Sequence, residues 1–320
     1  MHRTRIALVA AILGLLTLSA QAAVDSPVHR NFNVAAGGTL YVDTDVGSVN
    51  VVPGAGGVVV SVKRHAWSQK ALDRVHLTMT QQGNDVHVRA EVESMSRWFS
   101  WGNDLDMTFD ITVPSRYNVE MKTSGGSVSV GDLHGFVHAR TSGGSMRLAR
   151  IDGPVDAHTS GGDVRLESAN GNAVLHTSGG SVTAGDMSGN VELKSSGGSL
   201  HARRVGGTLL ARTSGGSITI DEAHGSIDAE TSGGSIHASM TAQPRGDSRL
   251  STSGGGITIA LAPSIAVDLD AHTSGGGVHS DLPITVMGKI SDDALNGKVN
   301  GGGPRLVLRS SGGGIHVRKL

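Results

Sequence analysis

Two stretches decide the fold: Val137-His138-Ala139-Arg140-Thr141-Ser142-Gly143-Gly144-Ser145-Met146-Arg147-Leu148 and, 18 residues on, Val155-Asp156-Ala157-His158-Thr159-Ser160-Gly161-Gly162-Asp163-Val164-Arg165-Leu166. In each, apolar and polar residues alternate up to the threonine, a Ser-Gly-Gly interrupts, and the alternation resumes. Period two on both sides of a glycine pair describes two short strands, each with one buried face, joined at a corner.

The motif recurs at Thr123, Thr141, Thr159, Thr177, Ser195, Thr213 and Thr231 in steps of 18, at Thr252 and Thr273 after steps of 21, and finally at Ser310. Each unit is strand, corner, strand and a loop such as Gly185-Asp186-Met187-Ser188-Gly189-Asn190, so one repeat makes one coil. The few side chains a lone coil buries do not offset the entropy of ordering its backbone, so coils must stack in register about 4.8 Å apart. The expected fold is all-β, a single-stranded parallel β-helix or solenoid with coils of about eighteen residues. Glycine makes up 47 of 320 residues, about twice the usual roughly 7%, and the corners account for the excess. These glycines are expected to turn the chain with positive φ. The motif Thr or Ser continues the inward alternation and is expected to form a hydroxyl column bonded to neighbouring backbone or to itself.

A degenerate copy at Leu40, Val42, Thr44, Ser48, Val49 and Val51, with Asp45-Val46-Gly47 at its corner, starts the solenoid near residue 35. Alternating runs at Val75-Leu77-Met79 and Val86-Val88-Ala90 around Gln81-Gln82-Gly83-Asn84 read as a hairpin, and a third run from Leu105 to Val113 ends at Pro114. Residues 23–118 are read as first coil and N-terminal β cap, and 119–320 as the repeat solenoid. Ser310 to Val317 is expected to close the stack, with Pro283 to Pro304 folded over the last coils. Trp98, Phe99 and Trp101 fall in the loop from Ser94 to Asn103, where they either plug the open end or stack on a sugar or partner.

Arg3 and Arg5, the apolar run from Ile6 to Leu18 and Ala20-Gln21-Ala22 form a secretory signal over residues 1–22. The run is shorter than the roughly 20 residues that span a bilayer. The mature chain is therefore expected to be exported, without a transmembrane segment, to the periplasm or cell surface. With no cysteine, disulfides, thiolate metal sites and lipid-modified cysteines are excluded. A net charge of -1 argues against a general nucleic-acid binder.

Ile111-Thr112-Val113-Pro114, then Val119-x-Met121-x-Thr123-Ser124-Gly125-Gly126-Ser127-Val128 and the recurring coils, resemble the bacterial “putative adhesin” family of β-strand-repeat domains over roughly residues 35 to 320. The resemblance implies the solenoid fold and an adhesive role, and brings no catalytic residues with it.

The residue before each motif threonine points outward. Down the stack this column reads Lys122, Arg140, His158, His176, Lys194, Arg212 and Glu230. Six residues after the threonine, the other flank of the corner carries Arg147, Arg165, His201, His237, His279 and His316. Cations at rung spacing suit an acidic polymer such as an anionic polysaccharide. Against that, the column Glu120, Asp156, Glu192, Asp228 and Asp270 lies beside the first and can pair with it. His158 and His176 are neighbours but lack the third ligand of a metal site, and Val128 and Val130 occupy the Gly and Asp positions of a calcium-binding nonapeptide. No cofactor is expected. The function expected is non-catalytic, adhesin-like or scaffold binding of an anionic polysaccharide or an envelope protein, through the basic flanks or the aromatic loop. A β-helical glycan-active enzyme, with Asp104 and Asp106 as carboxylates, and an envelope-stress or assembly accessory remain open.

Overall fold

In the computed structural model, residues 24–93, 105–287 and 291–320 are described. The signal segment 1–22 lies outside them. The chain builds two long, mostly parallel sheets, and each coil gives one strand to each. Strands ahead of the corner, such as Val137–Thr141 and Val155–Thr159, pair in register, with Val137 opposite Val155 and Thr141 opposite Thr159. Strands after it do the same, with Met146 opposite Val164 and Leu148 opposite Leu166. The alternation drives this: in Val155–Thr159 residues 155, 157 and 159 are buried while 156 and 158 face outward. One continuous apolar core runs from Val34 to Val317.

A third buried column, Leu133, Ile151, Ala169, Met187, Val205 and Ala223, lines the loop side of the coil. Sequence reading assigned that stretch to loop because the apolar residue stands alone between polar ones.

The corners correct one expectation. None of the motif glycines has positive φ, which among the described glycines occurs at Gly37, Gly47, Gly56, Gly83, Gly135, Gly301 and Gly302. The constraint is space. A Cβ on Gly162 would lie 2.3 Å from the Gly144 carbonyl oxygen, and one on Gly180 2.2 Å from that of Gly162. The second glycine is thus needed because stacked backbones touch there. The first is looser: a Cβ on Gly179 would be 3.3 Å from the nearest atom.

The motif hydroxyls lock this contact. Thr159 Oγ1 donates to the Gly144 carbonyl of the preceding coil at 2.8 Å and accepts from its own Gly162 N–H at 3.4 Å. The same arrangement holds at Thr177 and Ser195, so a hydroxyl is required and the extra methyl is not.

The ends depart from chain order. The strands Asp85–Val92 and Leu105–Pro114 form a coil outside the one made by Thr39–Thr44 and Ser48–Gly54, which itself pairs on its other side with Asn118–Thr123 and Val128–Val130. The strands Val75–Gln82 and Val58–Ala66 then add antiparallel at the rim. At the other end, Arg305–Ser310 and Ile315–Lys319 do not close the stack. They insert between the coils of Thr252 and Thr273, with Leu308 opposite both Leu250 and Ala271 and Ile315 opposite both Ile257 and Val278. Ala294–Val299 and Ile284–Val286 continue antiparallel beyond Val267–Thr273. Motif spacing does not reveal this insertion: the step of 21 to Thr252, whose strand pairs directly with that of Thr231, equals the step to Thr273.

Because the second corner glycine has no space for a methyl group, Gly180→Ala is expected to destabilise the protein by about 2 kcal/mol or more, and Gly179→Ala by under about 1 kcal/mol. Urea denaturation of the two variants checks this; equal losses would remove close approach as the reason for the glycine.

Candidate functional site

The residue before each threonine sits on the outward side of a strand that its two neighbours bury, and parallel stacking brings these residues into one line. With the exposed motif serines they line a groove of about 800 Å³ along the corner, from Lys122 through Arg140, His158, His176, Lys194 and Arg212 to Glu230. Six of the expected site residues thus come together.

Carboxylates behind the groove hold most of these charges. Arg140 pairs with Asp156 of the next coil at 3.5 Å, while His158 reaches the same carboxylate at 2.5 Å. His176 contacts Glu192 at 3.0 Å, and Lys194 also pairs with Glu192. Arg212 meets Asp228 at 2.9 Å and Glu230 at 3.8 Å. Lys194 is the chief reason the Glu192 carboxyl is held below the usual carboxylate range. At the far end Arg309, pairing at 2.7 Å, does the same for Asp270. Among the described residues Lys122 has no ion-pair partner.

The middle of the groove differs. His158 and His176 meet edge to face, with ring centroids 4.6 Å apart. Burial first, and then the neighbouring charge of His158, push the His176 pKa down against the pull of Glu192. The two imidazoles therefore interrupt the permanent cations. Among the described residues no three His, Asp or Glu side chains converge as metal ligands.

On the other flank Arg147 and Arg165 lie opposite each other on paired strands, followed by Thr183 and His201. His279 and His316 stack further along, with centroids 5.2 Å apart. Corner and core separate this flank from the groove, so the two basic columns form two surfaces. Trp98, Phe99, Trp101 and Asp104 lie outside the described residues.

The loop side carries a ladder that sequence reading missed. Asp132 pairs with Arg150, Asp186 with Arg204 at 3.2 Å, and Arg204 with Glu222 at 2.8 Å. Beside it His134 meets Asp152 at 2.9 Å, and Asn170 donates to Asp152 at 2.9 Å. The opposite charges nine residues after most motif positions, Asp132, Arg150, Asp186, Arg204 and Glu222 with Ser168 between, were the available signal. These side chains satisfy one another along the stack, which fits an ordering role.

The Toastrack DUF4097 family model matches residues 41–318, and the chain belongs to that family. No curated protein matches it. Among solved structures, a “putative adhesin” from Bacteroides fragilis is 15% identical, covering 92% of this chain and 97% of its own, at a TM-score of 0.35. A “putative cell adhesion protein” from Clostridium sporogenes is 13% identical, covering 92% and 100%, at 0.24. A “putative lipid binding protein” from Parabacteroides distasonis is 12% identical, covering 92% and 96%, at 0.33. No helix among the described residues is long and apolar enough to cross a membrane.

His176 is expected to titrate below the ordinary histidine value of about 6.5. Its folded pKa is depressed, so the folded protein takes up fewer protons than the unfolded chain as pH falls through that region. The stability contributed by neutral His176 is complete above about 6.5 and declines below it. NMR titration of the imidazole, with thermal melts of wild type and His176→Gln between pH 7.5 and 5.5, checks both; a midpoint at or above the ordinary value would refute the reading.

Proposed function

We propose that the protein is an exported, non-catalytic adhesin-like scaffold, a solenoid of eighteen-residue coils with an N-terminal cap, that binds an extended acidic glycan along its corner. It acts in the periplasm or at the cell surface. The supporting observation is the groove itself: six successive coils present a basic or imidazole side chain beside an exposed serine, at one spacing, on a backbone that stacking makes rigid. Such a surface suits a polymer whose own groups repeat, since a compact small molecule would use one or two rungs. Serine hydroxyls serve sugar hydroxyls, and the cations serve acidic groups. Arg147 and Arg165 extend the basic character to the second flank. The compensating carboxylates keep net attraction modest, which suits many weak contacts in series.

The full chain is expected to be retained on dextran sulfate beads more strongly than on neutral dextran and to elute as salt rises, because exposed charges are screened within about 10 Å at 0.1 M. Replacing Arg140, Arg147, Arg165 and Arg212 together by Gln should abolish that retention without releasing reducing ends from any acidic polysaccharide tested. Equal retention on both beads would count against the reading, and release of reducing ends would convert the scaffold into an enzyme.

A further inference from the structure

Along the groove, Arg140, Lys194 and Arg212 face carboxylates, and of its permanent cations Lys122 alone, among the described residues, does not. Arg147 and Arg165 do not. They stand directly opposite each other on adjacent strands, both are exposed, and among the described residues neither side chain has an ion pair or hydrogen bond. Like charges in direct register are unfavourable. The carboxylate nearest in the repeat, Asp163, lies in the same cavity but makes no ion pair with either arginine, and one of its oxygens accepts the Ser181 N–H at 2.8 Å.

The space between is shaped. A cavity of about 200 Å³ is lined by Ser145, Arg147, Asp163, Arg165, Ser181 and Thr183. Ser145 Oγ accepts the Asp163 N–H at 3.2 Å, and Ser181 Oγ accepts the Ser199 N–H at 3.3 Å. Each hydroxyl therefore uses a lone pair on the backbone and keeps its hydrogen free to donate. Two guanidinium forks and two such hydroxyls make the cavity rich in donors, with the remaining oxygen of Asp163 as the acceptor within it.

We propose that Arg147 and Arg165 form an oxyanion site that takes the sulfate or carboxylate group of an acidic sugar and serves as the main anchor of the glycan. This rests on the glycan reading above. Guanidinium groups hold such oxyanions bidentately, and ligand charge relieves the repulsion between the two arginines. Arg140, Lys194 and Arg212 in the groove already have carboxylate partners, so an incoming anion gains less from them, and Lys122 stands at the groove's end without a second cation opposite it that lacks a partner.

The test uses the full chain and dextran sulfate in solution. Arg147→Gln with Arg165→Gln is expected to weaken binding roughly tenfold or more, and Arg140→Gln with Arg212→Gln less than about threefold. The first pair should melt no lower than wild type, since it removes a repulsion. Equal or reversed losses would overturn the assignment while leaving glycan binding intact. If wild type does not bind dextran sulfate, the glycan reading fails, and a sodium sulfate titration followed at the arginine side-chain N–H signals decides the site alone. Shifts at Arg147 and Arg165 uphold it, and their absence overturns it.

Discussion

The corner contact between consecutive coils is the constraint on which the rest depends. The second motif glycine lies so close to the carbonyl of the coil beneath it that no Cβ fits, as at Gly144, Gly162, Gly180 and Gly198. The motif hydroxyl uses that closeness by bonding across the same gap, 2.7 Å from Thr177 to the Gly162 carbonyl and 2.8 Å from Ser195 to Gly180. Each hydroxyl fixes one coil against the next at a point where strand pairing has paused. Both sheets inherit their common register from this stitch, and the outward columns inherit their alignment. A rigid line of side chains is thus a consequence of the least functional-looking residues of the repeat.

A parallel stack has ends, and an open end is a template for unwanted pairing. The chain answers this in a related way at both ends. An internal segment forms the outermost parallel coil and the coil nearest the terminus is held one rung inside; antiparallel strands finish both sheets at the first end, but at the other only the sheet of Val267–Thr273, the second sheet ending on the parallel strand Val278–Ser280. Holding the terminal coil inside gives it partners on both sides, as for Leu308 between Leu250 and Ala271. Asp270 accepts ion pairs from both Arg305 and Arg309, tying the inserted coil to its outer neighbour.

Much of this was legible in the residues. Alternation around Thr-Ser-Gly-Gly gave strand and corner because burial has period two, and the step of 18 gave the register because a repeat stacks on its own copy. The outward columns followed from the same counting, down to Asp156 and Glu192 lying where they meet Arg140 and His176. What could not be read was anything that depends on two coils distant in sequence. Glycine in a turn suggests positive φ, and only the coil below reveals a shortage of space. The order of coils at the ends is set by which edge is left open, and motif copies at Thr252, Thr273 and Ser310 look equivalent until stacked. The buried column from Leu133 to Ala223 escaped because a single inward residue per loop has no period.

Electrostatics separates what orders the stack from what is left over for a ligand. Along the loop side, opposite signs meet between neighbouring coils on either side of Ser168, so these charges are satisfied by the repeat itself. In the groove the pairing runs obliquely: Arg140 reaches up to Asp156 and His176 up to Glu192, which neutralises most of the column beyond Lys122 while leaving its polar heads on the wall. A repeat that can cancel its charges on two columns could have done so on the third, where alternating signs would have served as well. Arg147 opposite Arg165 breaks that economy, and a fold built from identical units makes such a break conspicuous. Two arginines without an ion-pair partner in a cavity rich in donors carry a local repulsion that a bound anion would offset, and that is the physical basis of the proposed anchor.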